Sequence, residues 1–121
     1  MTSKEEKLEE SLDELDDVQG VKGAAVVRRD GLLIASNLKQ EIDDDQVGAM
    51  TASTVGSGET ASGALNMGDV EQVTVESEEG KLVSTGAGEQ AILSVLAKED
   101  VNMGLVKVEM EGAVEKIDRV L

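Results

Sequence analysis

VKGAAVVRRDGLLIAS (residues 21–36) sets an Asp30-Gly31 pair between two apolar runs. Asp-Gly in that setting is the strongest short-range signal for a tight hairpin, with both turn positions at positive φ. Two antiparallel strands are expected, from about Gly23 to Arg29 and from Leu32 to Ser36, both apolar on two faces. Such strands need covering from both sides. Helices are therefore expected above and below the sheet.

Upstream, Ser3 and Glu6 have the reciprocal capping-box spacing. Leu8, Leu12, Leu15 and Val18 then recur at steps of four, three and three, one apolar stripe on a charged helix that ends by Gly20. Downstream, Asp43 and Gln46 repeat the capping spacing, with Ile42 and Val47 placed as a hydrophobic staple. A second helix is expected from about Asp44 to Met67. Val73 and Val75 alternate with polar residues, which predicts a sheet-edge strand with one wet face. Glu79-Gly80 turns into a strand over Leu82 to Thr85, and Gly86-Ala87-Gly88 into one over Ala91 to Leu96. Asp100 or Asn102 can cap a last helix striped by Met103, Val106, Met110, Ala113, Ile117 and Leu121. The predicted order is helix-strand-strand-helix-strand-strand-strand-helix, an α+β domain over residues 1–121, loose only at residues 1–6.

The core must be aliphatic, because the 121 residues include 16 Val and no Phe, Tyr or Trp. Small side chains bury little area each, so a second subunit would add useful burial. The absence of Cys and His removes thiol and imidazole chemistry and nearly every zinc, haem or triad arrangement. The charged N-terminus is no signal peptide, and no segment approaches a membrane span. A cytoplasmic location is expected. A net charge of −15 repels nucleic acid and anionic membrane and favours a protein partner with a basic patch; such acidity also suits a salty cytoplasm.

Four constellations are weighed against plainer readings. GAGEQA (86–91) fits G-x-G-x-x-G/A but lacks the following helix that a dinucleotide site needs, so it reads as a turn between strands. GSGETASG (56–63) has neither the lysine nor the preceding strand of a phosphate loop. Glu41, Asp43, Asp44 and Asp45 supply oxygen ligands, yet acidic residues are expected at a helix N-terminus. Arg28 and Arg29 suit an arginine finger in trans or, more simply, surface positions in an acidic field. No catalytic residue, metal site or cofactor is assigned.

The order of elements resembles the Roadblock/dynein light chain family, especially prokaryotic members near the gliding-polarity regulators of small Ras-like GTPases. Three stretches carry the resemblance: the G-x-x-V-x-x-x-D-G-x-x-I-A-S pattern over Gly23–Ser36, the acidic helix start at Asp43–Asp45, and NMGLVKVEMEGAVEKI (102–117). It implies a five-stranded antiparallel sheet with the second helix on one face and the other two on the opposite face. It also implies a homodimer in which the second helix and the following strand meet their counterparts. The implied role is a non-enzymatic regulator or scaffold for a small Ras-like GTPase. A small-ligand sensor, a scaffold subunit without a GTPase partner, or a carboxylate-metal enzyme at Asp43–Asp45 are the alternatives.

On the second helix, Val47, Met50, Thr54, Gly58, Ala61 and Leu65 share one face at steps of three and four. Internal glycines each cost roughly 1 kcal/mol against alanine, so Gly56, Gly58 and Gly63 call for close backbone approach, to the sheet or to a second subunit. With edge residues Val73 and Val75, that face is the expected dimer interface.

Overall fold

Ser3 accepts from the Glu6 amide at 3.1 Å and its hydroxyl meets the Glu6 carboxylate at 3.2 Å, which closes the capping box. Helix α1 (Lys4–Asp16) follows, buries Leu8, Leu12 and Leu15 completely, and gives way to a turn before Gly20. The computed structural model describes residues 3–39 and 41–121. Of the stretch expected to be loose, Met1 and Thr2 lie outside the described residues, while Ser3 to Glu6 form the capped first turn.

Strands β1 (Val21–Arg28) and β2 (Leu33–Ser36) form the expected hairpin, but the turn differs. Only Gly31 has positive φ, at 97°. The Gly31 amide donates to the Arg28 carbonyl and the Arg28 amide to the Leu32 carbonyl, so the loop is Arg29-Asp30-Gly31 rather than a two-residue turn. This is the three-residue hairpin with glycine at the left-handed position. Asp30 stays at negative φ because its carboxylate accepts from the Leu32 amide at 3.2 Å, a local bond that needs no left-handed backbone.

Helix α2 (Asp44–Ala64) starts with Asp43 accepting from the Gln46 amide. It ends slightly before the expected Met67. Asn66 takes φ 55°, the Met67 amide donates to Ser62 and the Asn66 amide to Gly63, a Schellman stop.

Strands β3 (Val73–Ser77), β4 (Gly80–Ala87) and β5 (Ala91–Ala97) precede helix α3 (Met103–Val120). Asn102 is its cap, accepting from the Leu105 amide at 3.2 Å. GAGEQA is the end of β4 and the turn into β5, as the plainer reading expects.

All pairings are antiparallel, in the order β2-β1-β5-β4-β3. The last strand therefore sits in the middle, and β2 and β3 are the edges. Helices α1 and α3 pack together on one face, over Val26, Val83, Leu93 and Val95, and form the main core. On the other face the row Ala25, Ser94, Ser84, Val73 lies toward α2. The Ser84 and Ser94 hydroxyls meet at 2.8 Å, and Thr51 of α2 donates to Ser94 at 3.2 Å. A buried hydroxyl chain thus stands where a core would ordinarily place aliphatics.

Candidate functional site

The residues of α2 that face the sheet are small: Gly48, Thr51, Val55 and Ser62 are its buried positions. A Cβ on Gly48 would run into the backbone carbonyl oxygen of Gly31. Helix and hairpin therefore approach closely only because Gly48 has no side chain. Toward the other flank, a Cβ on Gly58 would lie 2.9 Å from Cγ2 of Val73. The close approach expected at Gly58 is to its own sheet. Gly56 and Gly63 have nothing within 4 Å of a Cβ, so close approach does not account for them in the protomer.

Arg29 ties the hairpin to α2. Its Nη1 donates to both Glu59 carboxylate oxygens, at 3.1 and 2.9 Å, and its Nε to the Glu89 carbonyl at 2.9 Å. Arg28 pairs with Asp30 at 2.7 Å. Both arginines are thus engaged within the chain, and Arg29 clamps three segments rather than only balancing charge. Sequence reasoning missed Gly48 and the Arg29–Glu59 tie, since each joins residues far apart in the chain.

The stripe expected at the dimer interface lies about a quarter turn from the sheet-facing row, and at Gly58 it meets Val73 of β3. Val47, Thr54 and Gly58 on it are half-buried, and Ala61 is exposed. Met50 is 53% and Leu65 68% exposed, and beyond the helix end Met67 is 70% exposed. On β3, Val73 is half-buried and Val75 is 42% exposed. Gly58, Ala61, Met67 and Val73 line one continuous groove. Of the eight residues, Gly58, Ala61 and Val73 are thus brought together, and among the described residues β3 has no strand beyond it.

Asp43, Asp44 and Asp45 occupy the cap and first turn of α2. Among the described residues no group of three or more carboxylates is arranged to hold a metal ion, and no helix is long and apolar enough to cross a membrane.

Three helices on the two faces of a five-stranded antiparallel sheet define a small α+β domain. The family model for the Roadblock/LC7 domain matches residues 7–97, and the chain belongs to that family. An uncharacterised protein of Methanocaldococcus jannaschii is 43% identical over 104 residues, 86% of this chain and 90% of the relative. Among solved structures, Myxococcus xanthus MglB superposes with a TM-score of 0.87 at 22% identity, covering 99% of this chain and 92% of that one. A Roadblock/LC7 domain of Streptomyces avermitilis gives 0.85 at 24% identity, covering 92% and 94%. An MglB with a tetrameric arrangement gives 0.86 at 22%, covering 99% and 91%. These likenesses establish the Roadblock fold.

Proposed function

We propose that this chain is a non-enzymatic homodimeric interaction module that binds or regulates a small Ras-like GTPase. The observation that carries the dimer is the exposure of Met50 and Leu65 on α2 and of Met67 just beyond it, together with the edge position of β3 among the described residues. Exposed edges invite pairing with a second copy, and these side chains supply apolar area that the thin, hydroxyl-rich α2 face lacks. In this reading Val47, Met50, Thr54, Gly58, Ala61 and Leu65 of α2 and Val73 and Val75 of β3 form the seam. Absent aromatics, the contact consists of small aliphatic surfaces that pack closely.

The GTPase half rests on family membership and on the resemblance to gliding-polarity regulators. A net charge of −15 directs the choice toward a GTPase with a basic contact face.

Sedimentation equilibrium of the purified protein tests the seam, with dimer mass expected for the native chain. Met50→Glu with Leu65→Glu is expected to give monomers with unchanged circular dichroism, because both side chains already stand in solvent. A native monomer at every salt concentration would refute the homodimer. GTPases from the same source are then offered in pull-down and GTP-hydrolysis assays; a dimer that binds none and alters no hydrolysis rate is a scaffold subunit without a GTPase partner.

A further inference from the structure

A groove of about 1200 Å3 runs along the start of β3, from Gly58 and Ala61 of α2 to Met110 and Val114 of α3. It exceeds the roughly 300–1,000 Å3 of small-molecule pockets and is large enough for several residues of chain. Its α2 end is continuous with the proposed dimer seam. Its α3 end, at Lys107, Met110, Glu111, Val114 and Glu115, lies outside the residues of that seam.

The groove is lined by Asp69, Glu71, Glu111 and Glu115 against one cation, Lys107. Among the described residues Asp69, Glu71 and Glu111 make no ion pair, and Glu115 reaches only Arg119, at 3.9 Å. Half-buried Val114 supplies apolar surface beside these carboxylates, backed by Met110, which is buried in the core at 3% exposure. A cleft lined by one sign of charge with low-dielectric walls focuses its field into the opening. The attraction is therefore strongest where apolar contact is also available. Nucleic acid and anionic lipid are repelled by the same field. A second copy offers few cations to these four carboxylates, with 11 Lys and Arg against 26 Asp and Glu in the chain.

We propose that the α3 end of the groove docks a basic, aliphatic segment of a partner protein. Lysine or arginine side chains meet the four carboxylates, and aliphatic side chains rest on Val114. The proposal rests on the dimer reading only in taking the α2 end as occupied by the seam.

The probe is an acetylated octapeptide alternating lysine and leucine, titrated into the isotope-labelled full-length protein and followed by NMR. Shifts are expected at Thr74, Thr85 and the Met110 methyl. Glu111→Lys with Glu115→Lys is expected to weaken binding at least tenfold. Glu5→Lys with Glu9→Lys, the same charge change on α1, is expected to leave it within twofold. Equal loss in both double variants, equally tight binding of an all-lysine octapeptide, or no binding at low salt would each overturn the proposal. Mass measured on the same samples separates the two readings. A dimer that ignores the peptide sinks the docking site alone, and a monomer that binds it as expected sinks the dimer alone.

Discussion

Gly48 and Gly31 meet backbone to backbone where α2 crosses the β1–β2 hairpin, and neither neighbour of the contact is a flexible side chain. Gly48→Ala is expected to push the helix off the hairpin and lower stability by about 2 kcal/mol, in the range of overpacking. Gly56→Ala and Gly63→Ala, in open space on the flank opposite the proposed seam, should each raise it by about 0.5–1 kcal/mol, the helix-propensity difference. Chemical denaturation of the three variants checks both directions in one helix. Arg29 makes a different case. Its ion pair with Glu59 is about 40% exposed on both sides and is discounted accordingly, to about 0.5 kcal/mol. Arg29→Lys keeps the charge yet should not restore the native melting temperature, because one ammonium cannot serve the carboxylate and the Glu89 carbonyl in the same fork.

Among the elements, α1 is the one whose C-terminal charges oppose its own dipole. Asp13, Glu14 and Asp16 crowd its C-terminal end, Asp17 caps it, and its last turn holds no basic residue. Among the described residues Glu14 alone finds an ion-pair partner there, Lys116 of α3 at 3.3 Å. Carboxylates at the negative end of a helix are unfavourable, so the three buried leucines hold α1 in place against its charges. Asp17→Lys is expected to raise the melting temperature by a few degrees, from about 0.5 kcal/mol, with the gain shrinking in high salt. Helix α2 shows the converse: good caps at both ends and little apolar burial. Thr51→Val removes one buried hydroxyl bond but leaves Ser84 and Ser94 bonded to each other, so the expected cost is about 1 kcal/mol or less.

For the whole molecule, joining two chains of −15 each sets long-range repulsion against short-range aliphatic contact. Salt screens the first, with a Debye length of about 10 Å at 0.1 M, and leaves the second intact. The dimer proposed here should therefore tighten as salt rises. Dissociation constants from sedimentation at 0.05, 0.3 and 1 M NaCl, orders chosen around that screening length, are expected to fall at least several-fold. A constant that rises with salt would mean that ion pairs, rather than aliphatics, form the seam.

Local signals account for what was legible in advance. Capping pairs such as Ser3–Glu6 and Asp43–Gln46, and stripes such as Leu8–Leu12–Leu15, act over three or four residues, a distance at which chain order and spatial order coincide. They determined the element order, the three helices and the edge character of β3, while the shared face of α1 and α3 was implied by the family resemblance. The hairpin was legible as a hairpin but not in its turn type, because Asp30 has two ways to satisfy the backbone, and the Leu32 amide supplied the one without positive φ. Tertiary structure alone decided that β5 lies beside β1, that Gly48 rather than Gly56 or Gly63 is the glycine closest against the sheet, and that Arg29 joins Glu59 to Glu89. Each of these joins positions well separated along the chain. Their geometry exists only once the sheet is assembled, since neither periodicity nor capping chemistry acts across such separations.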